Sequence, residues 1–160
     1  VARCVNPREL WRSLDLRLLL VIACSFALGA AVDRTGVAAA VAGGLGALAG
    51  SDPFASLVLV YVMAVVFTEL LTNNAAAILV FPIAVGVAAQ LGVSPMPFVI
   101  ALMIGASAGF MTPIGYQTNL MVYGPGGYRF GDYVRLGAPL SLVVGVVTLW
   151  LVPRVFPFTA

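Results

Sequence analysis

Apolar residues run along this chain in blocks, and short polar interruptions divide the blocks. Crossing a bilayer as a helix takes ~20 apolar residues. Residues 18–32 are a run of fifteen between Arg17 and Asp33. They cross only if the helix starts near Trp11, with Asp15 and Arg17 at the interface, so a span over 11–32 is predicted. Residues 36–50 are rich in Ala and Gly. At ~1.5 Å per residue they reach roughly 22 Å, too short to cross. They predict a half-helix or an interfacial helix, with a loose Gly-rich linker as the alternative. Gly43, Gly46 and Gly50 permit close helix contact.

The block from Pro53 to Gly92 would reach roughly 60 Å as one helix, twice the hydrocarbon thickness. Thr72-Asn73-Asn74 divides it into two apolar arms, 54–71 and 75–91. Two readings fit: two spans joined by a short turn in water, or a re-entrant hairpin over 54–91 with its polar tip inside the membrane. Residues 96–111 then read as helix until Thr112-Pro113, where Pro lacks an N–H and disfavours helix in the residue before it. Gly115 offers unusual backbone angles, and Asn119 suits the N-cap of a short helix over 120–123. The unit 96–123 is therefore a broken helix about one membrane thickness long. Gly124-Pro125-Gly126-Gly127 ends it, 128–135 reads as an interfacial connector, and 136–152 is a last span with Trp150 and Arg154 as anchors.

Composition agrees. The chain is 62% hydrophobic and 9% charged, with mean hydropathy +1.09, far from a soluble domain's roughly 25% charged residues. This is an all-α integral membrane protein. All eight basic residues are Arg and there is no His, which removes Ser-His catalysis and His proton relays. A net charge of +2 is too small to suggest nucleic acid. Cys4 and Cys24 make no disulfide framework. No cleavable signal is read in residues 1–17, and a chain opening on Val1 reads as a piece of something longer.

Charge also orients the chain. Arg3, Arg8, Arg12 and Arg17 place the N-terminus in the cytoplasm. If 36–50 and 54–91 both return to the side they entered from, Arg129 and Arg135 are cytoplasmic too. Six arginines then fall inside and two, Arg34 and Arg154, outside.

Two polar motifs carry the chemistry: Thr68-Glu69-Leu70-Leu71-Thr72-Asn73-Asn74 and Thr112-Pro113-Ile114-Gly115-Tyr116-Gln117-Thr118-Asn119. No charged residue lies between Leu70 and Tyr128. In hydrocarbon, broken backbone is tolerated only where it is buried in protein or lines a cavity, and paired interruptions point to a midplane binding site. Gly105-Ala106-Ser107-Ala108-Gly109 matches a hydrolase pattern, but it lies in an apolar helix of a chain without His. It reads as helix contact surface, and no enzyme is predicted.

These motifs resemble the C-terminal repeat of the divalent anion:sodium symporter family, the sodium/sulfate and dicarboxylate symporters of the ion transporter superfamily. That family carries Ser-Asn-Thr at the tip of a re-entrant hairpin, after a Ser/Thr-Glu pair, and a broken helix with a Thr-Pro motif. Thr72-Asn73-Asn74, Thr68-Glu69 and Thr112-Pro113 stand at those places. The stretch 112–136 is most similar to bacterial members with potassium-uptake-regulator-like soluble domains. The resemblance implies half of an inverted-repeat transporter, with a re-entrant helical hairpin and a broken transmembrane helix. It implies sodium-coupled uptake of a small anion by an elevator motion, in a homodimer, at the bacterial cytoplasmic membrane. The partners would be the lipid bilayer and an N-terminal repeat of the same transporter; sodium is the coupling ion and no further cofactor is implied. By family position Thr68 and Asn73, with backbone oxygens near Leu71 and Met111, are the sodium ligands. Thr72, Asn73, Asn74, Thr112 and Pro113 face the substrate.

The residues are chemically suited to this. A hard cation takes oxygen ligands. With no basic residue between Arg34 and Arg129, helix N-termini after the tip and before residue 120 would attract the anion. Glu69 reads either as an intramembrane functional acid or as a structural hydrogen-bonding group. The tip departs from the family's as Thr-Asn-Asn, and Tyr116-Gln117-Thr118 replaces the Thr-Pro-Pro run of the dicarboxylate branch. A bulkier loop favours a compact dianion such as sulfate. The alternatives are a proton-coupled, arsenite-permease-like exporter, in which Glu69 is essential, and a truncated membrane scaffold that transports nothing.

Overall fold

The computed structural model describes residues 34–159 and, ahead of them, residues 23, 24, 27, 30 and 31. Most of the predicted span 11–32 therefore lies outside the described residues, as does Cys4; Cys24 is a free thiol. The described residues are helical and connecting segments, with no strand among them.

α1 covers Val37–Ala49, between Gly36 and Gly50, both at positive φ. Its 13 residues match the short element predicted over 36–50. α2 covers Pro53–Leu70. Asp52 caps it, its carboxylate accepting from the Phe54 N–H at 3.0 Å and the Ala55 N–H at 3.3 Å, and Pro53 fills a position that needs no N–H. The helix stops where Leu71 turns extended and Thr72 caps the next helix, accepting from the Ala75 N–H at 3.4 Å. α3, Asn73–Leu91, carries Pro82 inside and ends at Gly92 with φ 65°. There the N–H groups of Gly92 and Val93 bond back to Ala89 and Ala88. α4 is Met96–Ala106, α5 is Gln117–Tyr123 and α6 is Phe130–Val155.

α2, α3 and α4 pack on one another, α1 lies on α3, and α6 lies on α4 and α2. Leu57, Val60 and Ala64 from α2 meet Ala76, Val80 and Ala84 from α3 and Phe98, Ala101 and Leu102 from α4. Lipid is as apolar as these side chains, so close packing of small residues holds such a bundle more than expulsion of water does. The spacing shows it. A Cβ on Gly86 would touch Ala42 of α1 at 3.7 Å, and one on Gly145 of α6 would meet the Tyr61 ring at 3.2 Å. The C-terminal tail returns to the start of α4, with Phe158 edge-on to Phe98 at 5.9 Å. Outward, α6 shows Leu136, Leu142, Val146 and Trp150. Among the described residues, three helices, α2, α3 and α6, are long and apolar enough to cross a membrane.

Two boundaries differ from the sequence reading. α4 ends at Ala106, five residues before the expected stop at 111, and residues 107–116 are irregular. The last helix begins at Phe130, inside the predicted connector, because Asp132 in its first turn accepts the Arg129 N–H at 2.8 Å. At its far end Arg154 lies over the Trp150 ring, 4.0 Å from the centroid.

Candidate functional site

The end of α2 carries its polar groups inward. Thr68 is wholly buried and Glu69 is 6% exposed. Both reach the irregular segment between α4 and α5, which replaces there the bonds a continuing helix would have made. Thr68 Oγ1 donates to the Ala106 carbonyl at 2.5 Å. Glu69 Oε1 accepts the Met111 N–H at 2.9 Å, and the Glu69 carbonyl accepts from Thr112 Oγ1 at 2.8 Å. Thr112 Oγ1 in turn accepts the Gly115 N–H at 3.3 Å. This explains the early end of α4: its last carbonyl and the next free N–H find partners on α2 instead of along the helix.

Asn73 opens α3, and its amide sits among the same groups. Thr68 Oγ1 lies 2.9 Å from the amide. Turned to suit its surroundings, the amide nitrogen donates toward the carbonyls of Gly115 at 3.0 Å and Ala106 at 3.3 Å and toward Thr68 Oγ1 at 2.9 Å. The junction between α2 and α3 and the break after α4 are thereby one oxygen-rich cluster. It holds a hydroxyl, an amide and two main-chain carbonyls.

Gly115 makes the closeness possible. It is not at positive φ, contrary to the expected reason for a glycine here. Instead it is buried, and a Cβ at that place would overlap the Thr68 carbonyl. Gly109 is similar, its Cβ position 3.4 Å from Thr68 Oγ1. The Gly105–Gly109 stretch is thus contact surface for α2, as expected, although it straddles the end of α4 rather than lying within a helix.

Asn119 is not a cap. α5 starts at Gln117 with Tyr116 before it, so Asn119 is a helical residue. Its amide donates to the Thr112 carbonyl at 3.4 Å and its carbonyl accepts from Tyr133 Oη at 3.1 Å, tying the break to α6. Gly137 of α6 presses on the Phe110 carbonyl with no room for a Cβ. Between them a cavity of about 320 Å³ is lined by Phe110, Asn119, Tyr133, Gly137 and neighbours.

Of the expected sodium ligands, Thr68 and Asn73 are brought together. Leu71 lies in the extended turn beside them, and Met111 stands on the facing segment with its N–H bound to Glu69. Of the expected substrate-facing residues, Thr72 and Asn74 are exposed at the tip, Asn73 and Thr112 are half-buried and Pro113 is buried. The sequence reading missed Ala106, which enters through a carbonyl that any residue owns. It also missed the bond from Glu69 to Met111, two residues separated by 42 positions.

A citrate-transporter family profile matches residues 1–159. The chain is 40% identical over 157 residues to an uncharacterized transporter of Synechocystis, covering 98% of this chain and 26% of that protein. It is 39% identical over 147 residues to sodium/sulfate cotransporter 2 of Chlamydomonas reinhardtii, covering 90% of this chain and 16% of that one. Mouse Na(+)/dicarboxylate cotransporter 3 is more distant, 29% identical over 134 residues, 84% of this chain and 22% of the relative. The chain spans about a quarter or less of the length of these relatives.

Proposed function

The chain belongs to the citrate transporter family, and on that premise we propose that it forms one repeat of a sodium-coupled symporter for a small divalent oxyanion. The placement agrees with the divalent anion:sodium symporter resemblance of its two motifs, and its helices make it a multi-pass membrane protein. The observation that carries the reading is the meeting of Thr68 and Asn73 with the carbonyls of Ala106 and Gly115. A hydroxyl, two main-chain carbonyls and an amide whose oxygen can turn inward, gathered between apolar helices, suit a hard cation such as sodium. Thr68, Asn73 and the main-chain oxygens near Leu71 and Met111 would hold it.

The anion would sit against the tip. Thr72 caps α3, and the first-turn N–H groups of a helix have no partner within it. Those donors, the hydroxyl of Thr72 and the amide of Asn74 favour an oxyanion, with Thr112 on the facing segment, and a bound cation beside them supplies positive charge. In this reading α2 and α3 are the arms of a re-entrant hairpin whose tip stays within the bilayer. A preceding repeat completes the site, and the unit moves across the cytoplasmic membrane by an elevator motion within a homodimer. Sulfate is favoured over a dicarboxylate because no Arg stands near to clamp a carboxylate in bidentate fashion.

The test is uptake of labelled sulfate, phosphate and succinate by the full-length protein in vesicles, with and without a sodium gradient. Sodium-driven uptake of a dianion is expected. Uptake driven equally well by a proton gradient without sodium would replace this reading with the proton-coupled one.

A further inference from the structure

We propose that Glu69 is a positioning residue that sets the sodium affinity of the site by holding the Met111 segment, through its hydrogen bond and not through its charge; this rests on the symport reading above. Three observations lead there. First, Glu69 grips the break twice. Its carboxyl accepts the Met111 N–H at 2.9 Å and its carbonyl accepts from Thr112 Oγ1 at 2.8 Å. The two residues held are adjacent, so the backbone between them is fixed in place and direction, and the main-chain oxygens near Met111 are fixed with it.

Second, packing does not account for the residue. Glu69 is 6% exposed, and its second oxygen, Oε2, is buried with no hydrogen-bond partner among the described residues. An unpaired buried polar atom lowers stability, and an apolar side chain of like volume would fill the same space without that cost. The group is therefore explained by what Oε1 holds. Third, the neighbouring contacts leave no slack. Gly115 packs against the Thr68 carbonyl and the Glu69 Cα, so the loop cannot settle closer to α2 to compensate for a lost bond. Losing the acceptor frees the Met111 N–H and lets residues 107–116 sample other arrangements. Only a fraction of molecules then hold the oxygens ready, and apparent sodium affinity falls by that fraction.

Glu69→Gln keeps an oxygen acceptor and removes the charge; Glu69→Leu removes both. The full-length protein and both variants are compared by hydrogen exchange over residues 107–116 and by sodium-dependent uptake. Glu69→Leu is expected to speed exchange of the Met111 amide and to raise half-saturating sodium, each by about tenfold, the usual scale for one lost buried hydrogen bond. Substrate KM at saturating sodium is expected to stay the same, a split that general loosening of the bundle would not produce. Glu69→Gln is expected to stay near the wild type on every measure. Unchanged exchange in Glu69→Leu, or Glu69→Gln as impaired as Glu69→Leu, overturns the proposal. If the exchange difference is seen while wild-type uptake ignores sodium, the clamp stands and the symport reading fails.

Discussion

Asn73 is the first residue of α3, and its amide faces two carbonyls of the opposite segment, those of Ala106 and Gly115. Two hydrogen bonds of ordinary strength, ~1 kcal/mol each, are lost in Asn73→Ala. Sodium-dependent uptake is expected to fall by about thirtyfold. Membrane insertion should be intact, checked by the amount of protein recovered from the membrane fraction; wild-type uptake in this variant would remove Asn73 from the site. Gly115→Ala adds a methyl where the Thr68 carbonyl already stands. Overpacking of this kind typically costs ~1–3 kcal/mol, so a lower midpoint of thermal unfolding in detergent is expected along with lost uptake. An unchanged midpoint would show that the segment can step aside. Polar side chains amid apolar sequence made Thr68, Asn73 and Thr112 legible beforehand, because nothing in hydrocarbon excuses them except a partner. Asn119 misled for a physical reason. Asn is a good cap, but here its amide is used on the Thr112 carbonyl and Tyr116 precedes the helix.

At the scale of elements, the junction at Leu71 and Thr72 decides the topology. α2 has 18 residues and α3 has 19, about 27 Å each at ~1.5 Å per residue, so length alone permits each to cross. Thr72 is exposed at the tip. With Cys at this position and Cys4 and Cys24 replaced, a membrane-impermeant thiol reagent should label slowly, and sodium plus substrate should slow it further. Fast labelling that ignores both would make the junction a turn in water. Helix existence was legible from apolar runs and from Pro and Gly punctuation. The end of α4 was not, since apolar sequence continues through Phe110 and Met111. What stops that helix is a competing set of bonds from α2, and no local pattern near 106 announces them.

For the whole molecule, a compact set of donors without a basic residue sets the expected selectivity. Excess sulfate should block uptake by the full-length protein more strongly than excess succinate at equal concentration. The reverse order would show that the rest of the transporter supplies groups fitted to a carbon chain. Fold class was readable from composition, because a chain with 9% charged residues has few other ways to exist. The cluster's long-range bonds were not, and they carry a consequence for biosynthesis. Thr68 waits for a carbonyl 38 positions later and Glu69 for an N–H 42 positions later. At ~5–20 residues per second, ribosomes take roughly 2–8 s to make that stretch. Through that interval the nascent hairpin carries a carboxyl and a hydroxyl whose final partners have not been made. With the tip inside the bilayer, as proposed, water or the insertion machinery would have to shelter them, and the tip would settle into lipid only after the following helix had arrived.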